Sequence, residues 1–433
     1  MPPDRTGGRQ LGDVIGKLRH LSTPMGRRHL WLGARNRAWP LLRVVAGIYR
    51  RTLARRVRIV AIVGSYGKTS TAAAVAAALD TTTPAPGSSY AGLALRMLEL
   101  RPWRTHAVLE TAIDGPGQMA PYGAMLRPDL VVVTTIGSEH HRSLGTLDVT
   151  QAEKGRMVEA LGPGGTAILN ADDPRVAAMA ARCAGRVIFY GIDAEAEVRA
   201  TDVALDWPRG MRLTLHVGAT SREVRLRLLG RVMVYPFLAA VAAAHAEGMS
   251  LDRAIAALET LPPRRGRLQH EPLPGGAWLI RDDFKSSLET MDAALDALAE
   301  VPGRRIVVIG SVSEPPGSQG PIYRRLGGRI AAIATRLIVV SSAFRTYAAG
   351  ARAAGMPRSA LVDGHRDLRA VWENLRTELR PGDVVLVKGR GDERLDRIGL
   401  ALQGRDVRCT IAFCNLRGLR CEACPKLETG WTV

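Results

Sequence analysis

Lysine is what this 433-residue sequence most conspicuously lacks: among 60 basic residues, only Lys17, Lys68, Lys154, Lys285, Lys388 and Lys426 are lysines. Arginine therefore carries most of the formal charge of +19. So broad an arginine bias follows genome composition as readily as partner choice, and nucleic acid is not expected as a partner. The scarce lysines are the better clues to chemistry. Long apolar runs are missing too. No stretch of about 18 uncharged apolar residues occurs, so no transmembrane helix is expected. The polar start Met1–Arg9, with its Pro and Gly, lacks the apolar centre of a secretory signal, and a cytoplasmic protein is expected. Disorder is excluded by 46% apolar against 23% charged residues, in a chain long enough for two or three domains.

Cysteine is rare, with five residues, yet four of them crowd together as Cys409-x4-Cys414-x6-Cys421-x2-Cys424. In a cytosolic protein such a cluster points to metal before disulfides, and the final Cys-x2-Cys offers two thiolates from one turn, as structural Zn²⁺ requires. An iron–sulfur cluster and reduced or disulfide-paired thiols are the alternatives. Cys183 is expected as a small buried side chain. Residues 30–56 mix Trp31, Trp39, Leu41, Leu42, Val44, Val45, Ile48 and Tyr49 with arginines. A helical prefix packing on the first domain is expected there, with docking on an anionic membrane surface or a protein partner as the alternative.

What is present begins with Val60-Ala61-Ile62-Val63-Gly64-Ser65-Tyr66-Gly67-Lys68-Thr69-Ser70-Thr71, an apolar strand running into a glycine loop and then a helix. Glycines turn backbone N–H groups toward phosphate oxygens, and the helix adds its positive N-terminus. Lys68 adds a point charge, and the Thr69 hydroxyl can ligate Mg²⁺. Further strands are expected at 106–109, 129–135, 166–169 and 186–190 with helices between several of them, a small antiparallel insertion over 201–229, and two helices over 234–259. That alternation predicts a mainly parallel α/β sheet. The turn-rich Leu261-Pro262-Pro263-Arg264-Arg265-Gly266-Arg267 reads as a hinge before a second doubly wound series with strands at 277–280, 305–309, 336–340 and 384–387. Glu110 and His140 each follow a strand, where an open parallel sheet exposes its carboxyl-end crevice, and together behind the glycine loop they read as an oxygen-and-imidazole Mg²⁺ site.

These motifs resemble the Mur ligase family, nearest the branch that adds D-alanyl-D-alanine to UDP-N-acetylmuramoyl-tripeptide (MurF-like). The resemblance rests on Gly64-Ser65-Tyr66-Gly67-Lys68-Thr69, Glu110 with Pro116-Gly117, Ile136-Gly137-Ser138-Glu139-His140 and Ala152-Glu153-Lys154-Gly155. It continues through Leu169-Asn170-Ala171-Asp172-Asp173-Pro174, Gly266-Arg267, Asp282-Asp283-Phe284 and Val385-Leu386-Val387-Lys388-Gly389. It implies an ATP- and Mg²⁺-dependent ligase in which a carboxylate takes the γ-phosphate and an amine then displaces it to form an amide. By the same resemblance, residues 64–70 with Asn170, Arg267 and Asp282 would bind ATP. Thr69, Glu110 and His140 would serve the metal, and Lys154 stands where the family carbamylates a lysine to make an anionic metal ligand. Lys68, Glu110, His140, Lys154, Arg267 and Asp282 would be the catalytic set, and Lys388-Gly389 would face the amine substrate or product.

The expected organisation is a basic helical segment (1–56), a P-loop ATPase-like central domain (57–262), a Rossmann-like C-terminal domain (263–404) and a four-cysteine tail (405–433). Residues 1–56 are too short, too basic and too helical for the family's small uridine-binding α/β domain. The loops Phe284-Lys285-Ser286-Ser287-Leu288 and Lys388-Gly389-Arg390-Gly391 depart from the branch's pattern, which implies a different incoming amine. A catalytically drifted nucleotide-binding subunit that docks a partner is the alternative function.

Overall fold

The computed structural model describes residues 24–82, 90–414 and 419–430; residues 1–23 of the expected N-terminal segment and residues 415–418 and 431–433 of the expected tail lie outside them. Two helices, α1 (Pro24–Arg37) and α2 (Trp39–Arg51), precede β1 (Arg58–Val63). The first α/β series continues through α3 (Lys68–Ala78), α4 (Ala91–Leu98), β2 (His106–Glu110), α5 (Met119–Leu126), β3 (Leu130–Val133), α6 (Leu147–Glu159), β4 (Thr166–Asn170) and β5 (Arg186–Gly191). Next come β6 (Val198–Asp206), β7 (Gly210–Val217), β8 (Thr220–Leu226), α7 (Val234–Ala246) and α8 (Leu251–Glu259). All of these strands share one eight-stranded sheet in the order β2-β1-β3-β4-β5-β6-β7-β8, parallel from β2 through β6. The segment expected as a small antiparallel insertion pairs antiparallel through β6, β7 and β8, and it extends that sheet because Tyr190 and Gly191 of β5 pair with Val198 and Arg199 of β6. Strand order reverses around β1, which lies between β2 and β3, so the crevice of this open sheet opens where β1 runs into the glycine loop.

The second sheet, ordered β13-β12-β11-β14-β10-β9, is parallel except for β9 (Gln269–Pro272), which pairs antiparallel with β10 (Trp278–Asp282). Its other strands are β11 (Arg305–Ile309), β12 (Arg336–Val339), β13 (Leu361–Asp363) and β14 (Val384–Lys388). The helices are α9 (Leu288–Glu300), α10 (Gln319–Ile333), α11 (Phe344–Ala353), α12 (Leu368–Glu378) and α13 (Asp396–Leu402). One apolar cluster is continuous across both sheets: it holds Ile62, Val132 and Leu238 of the first series with Met291, Leu298, Val307 and Leu337 of the second. Where the two meet, a Cβ added at Gly230 would lie 2.8 Å from that of Ala297. Among the described residues, no helix is long and apolar enough to cross a membrane.

The tail does not form the expected zinc knuckle among the described residues. Its four cysteines are free thiols, and no three Cys, His, Asp or Glu side chains gather as metal ligands. The physical reason is that the tail is held by its backbone. Buried Arg397 donates to the carbonyls of Cys409 (2.6 Å) and Ile411 (2.5 Å), and Arg394 donates to those of Cys414 (3.0 Å) and Leu419 (2.8 Å). Cys421 packs into the apolar cluster beneath β10, β11 and β14, and burial raises its thiol pKa, with nearby Asp396 acting in the same direction; a thiolate is disfavoured there. Cys183, expected buried, is partly exposed.

Candidate active site

Parallel strands buried on both faces deliver their carboxyl ends to one crevice, and the residues there come from both α/β series. The glycine loop after β1 is held by its neighbours. Ser65 N–H donates to the Thr135 carbonyl (2.8 Å), the Ser65 hydroxyl donates to Gly137 O (3.0 Å), and Thr134 donates to Tyr66 O (2.6 Å). Gly64 has φ +148°, and a Cβ there would sit 1.9 Å from Thr134 Oγ1. Gly64→Ala is therefore expected to cost about 1–3 kcal/mol and to abolish nucleotide binding with it. A melting curve and an ATP titration that both match wild type would contradict this. Helix α3 starts from Gly67 in the left-handed conformation, without a side-chain cap and without an acidic residue in its first turn, where Ser70 is buried. Uncapped N–H groups with a lysine beside them suit a phosphate chain.

Four of the six lysines converge here. Lys68 Nζ donates to Gly64 O (2.8 Å), Ser65 O (2.6 Å) and Glu139 Oε2 (2.8 Å). Lys154, from the buried face of α6, reaches the same Gly64 carbonyl at 2.6 Å. Lys285, from the β10–α9 loop of the second series, meets the other oxygen of Glu139. Lys388, at the end of β14, donates to Asp282 Oδ2 (2.6 Å) and Lys285 O (2.6 Å). Burial opposes ionisation of Glu139, but the ammonium groups of Lys68 and Lys285 outweigh it and hold the carboxyl well below its usual range. Lys154 is driven the other way: burial, then Lys68, lowers its pKa far below that of an ordinary lysine, favouring the neutral amine. Burial likewise lowers the His140 imidazole, so the ring is neutral and able to act as a ligand near pH 7. His140 sits in the left-handed region (φ 60°), 4.0 Å from Glu139.

Thr69 donates to Glu110 Oε2 (2.9 Å), and Arg267 reaches across from the second series to Thr69 Oγ1 (3.1 Å). Asp282 accepts from Leu268 N–H (3.3 Å) as well as from Lys388. Its neighbour Asp283 points to the other face of β10 and pairs with Arg281 (3.0 Å), so Asp282 is the one on the crevice side. Asn170 is engaged at both ends of its amide, donating to Thr134 O (3.0 Å) and accepting from Asp172 N–H (3.1 Å), and so braces the loop after β3. The sequence-derived set omitted Glu139, Lys285 and Glu289. Glu289 of α9 accepts from Ser138 N–H (2.6 Å) and the Ser138 hydroxyl (3.0 Å), pinning the second series to the loop after β3. Among the described residues no three His, Cys, Asp or Glu side chains cluster as metal ligands. Thr69 with Glu110 nevertheless forms a hard-oxygen pair, which fits Mg²⁺, an ion that keeps several waters.

The profile of the Mur ligase middle domain matches residues 62–244, and that of the Mur ligase glutamate ligase domain matches residues 266–391. A UDP-N-acetylmuramoyl-tripeptide–D-alanyl-D-alanine ligase of Mycobacterium tuberculosis (strain CDC 1551 / Oshkosh) is 32% identical over 84% of this chain and 77% of its own length. The chain belongs to the Mur ligase family. A Synechocystis ligase of the same name is 29% identical over 77% of the chain and 71% of its own length. Among solved structures, MurF from Acinetobacter baumannii superposes with TM-score 0.74 at 24% identity, covering 84% of this chain and 81% of that one. MurF ligase from Thermotoga maritima in complex with ADP gives 0.73 at 21%, covering 84% and 83%. These two likenesses bear on the fold. As a Mur ligase the chain is an ATP-dependent ligase that forms amide bonds.

Proposed function

We propose that the crevice activates a carboxylate of a cell-wall or peptide-like precursor with ATP and joins it to the amine of an amino acid or short peptide. The observation that carries this reading is the convergence of Lys68, Lys154, Lys285 and Arg267, from both α/β series, around Glu139 and the Thr69–Glu110 pair. Our division of the chain at 57–262 and 263–404 puts that convergence at a domain interface.

The residues divide the work by their chemistry. Lys68 and the amino end of α3 hold the phosphates, and Arg267, half-buried and near Glu110 and Asp282, brings a fixed charge to them from the second domain. Thr69, Glu110 and His140 would hold Mg²⁺, with a carbamylated Lys154 as a further oxygen ligand; the ion neutralises phosphate charge when bound. The substrate carboxylate attacks the γ-phosphorus, ADP leaves, the amine attacks the acyl carbon, and phosphate departs as the amine loses its proton. Lys285 stands at the mouth of the crevice, where the family branch carries no such residue in its loop, and this supports an amine other than that of the named relatives. The drifted-subunit alternative is not favoured, because a binding module has no use for a buried neutral lysine beside a phosphate cradle.

Hydroxylamine added during turnover tests the reading. With a competent carboxylate it should yield a hydroxamate and stoichiometric ADP, whereas ATP consumption that no carboxylate and amine pair stimulates would defeat it.

A further inference from the structure

Helix α2 is apolar on two faces, and among the described residues only one of them is buried against the fold. Its inner face is fixed to the first domain. Ala46 and Gly47 are buried, and the buried Arg50 guanidinium donates to the carbonyls of Leu126 (2.8 Å) and Arg127 (3.0 Å) and to Asp129 (2.9 Å). Trp39 packs edge-on against Tyr90 and Tyr122. The outer face presents Leu41, Val44, Val45 and Ile48, spaced three and four residues apart on one side of the helix, at 68%, 52%, 43% and 54% exposure; Leu53 just beyond is 64% exposed. Four aliphatic side chains in register over about 10 Å of a helix make a stripe that a globular surface does not ordinarily leave open.

Charge indicates what covers the stripe. No aspartate or glutamate occurs between residues 14 and 79, while Arg43, Arg51, Arg55 and Arg56 are exposed around it and have no ion-pair partner among the described residues. On α1, Trp31 is 58% exposed with the Arg35 guanidinium 4.9 Å over its ring. A protein partner would have to supply both an apolar groove and a rim of acids, whereas an anionic bilayer supplies both everywhere along its surface. We infer that the outer face of α2, with Leu53 and the surrounding arginines, docks the protein on an anionic lipid surface. Aliphatic side chains enter the headgroup boundary and arginines meet lipid phosphates. Docking there also orients the crevice. Trp39 meets Tyr90 edge-on, the Tyr90 hydroxyl accepts from Gln118 (2.7 Å), and Gln118 in turn donates to Asp114 (2.6 Å), just beyond Glu110. The amino end of the stripe therefore lies on the side of the fold where β2 opens into the active site.

The inference does not rest on the ligase reading and is tested apart from it. The full chain should sediment with phosphatidylcholine vesicles that contain phosphatidylglycerol, bind phosphatidylcholine alone weakly, and detach at high salt. Val44→Asp with Ile48→Asp should weaken vesicle binding by more than about tenfold while leaving melting and ATP-dependent turnover unchanged. Arg43→Glu with Arg51→Glu should remove the preference for the anionic lipid. Failure of the wild-type chain to bind anionic vesicles at low salt would overturn the inference, whether residues 1–23 or another protein cover the stripe. Binding unchanged in the aspartate variant would overturn it as well, as would a wild-type dimer that this variant dissociates without any vesicle affinity being present.

Discussion

Lys68→Ala is expected to lower ligation by roughly 10²–10³-fold, the loss that follows removal of a charge aimed at a reacting phosphoryl group in a water-poor site. The amine stands at the amino end of α3 between two loop carbonyls and Glu139. Arginine should not rescue it, because the site is closed around a compact ammonium and a planar fork needs different partners. The stability cost should be smaller than the catalytic one. Orphaning a buried charge costs about 3–5 kcal/mol, but Glu139 keeps Lys285 and is not orphaned. Phosphate release and hydroxamate formation read the first effect, and thermal melting reads the second. An alanine variant with wild-type turnover would remove the phosphate role from this lysine.

Lys154→Ala should be almost as damaging, by roughly 10²-fold, and for a different reason. Burial and the neighbouring Lys68 charge disfavour an ammonium and so favour a free electron pair on Nζ. That nitrogen can add to the carbon of carbon dioxide: an N–C bond forms, one N–H proton leaves to solvent, and an anionic carbamate replaces the neutral amine. The sign of the pH dependence follows. A lysine with a lowered pKa keeps its neutral form to lower pH than an ordinary lysine and loses it as pH falls through the lowered value, so carbamate and turnover should decline together on the acidic side. Isotope-labelled bicarbonate should give a carbamate signal in the carbon NMR spectrum of the wild type and none in the variant. A wild-type sample without that signal, still fully active after carbon dioxide is removed, would exclude this role.

Much of this was legible from the residues alone. β1, β3 and β4 are buried on both faces and so read as uninterrupted apolar runs, and the scarcity of lysine marked Lys68 and Lys154 before any contact was known. Other parts were not. β9 is Gln-His-Glu-Pro, with no apolar alternation to betray a strand, and β13 is three residues long. Glu139 could be quoted within its motif, but its direction could not, because it depends on Lys285 arriving from 146 residues away. The tail misled because cysteine spacing looks the same whether thiols gather or a pair of arginines grips the backbone. Only the packing of Cys421 and the reach of Arg394 and Arg397 separate the two.

The apolar cluster that runs unbroken from Ile62 to Leu337 bears on how this molecule comes apart. Two domains joined only by a linker melt in two steps, each with its own midpoint. Here the cluster passes from one half to the other where Gly230 meets Ala297, so loss of either half exposes apolar surface of the other. Unfolding is then expected as a single cooperative event, and a cavity cut at Leu298 should lower the temperature at which the phosphate loop itself lets go.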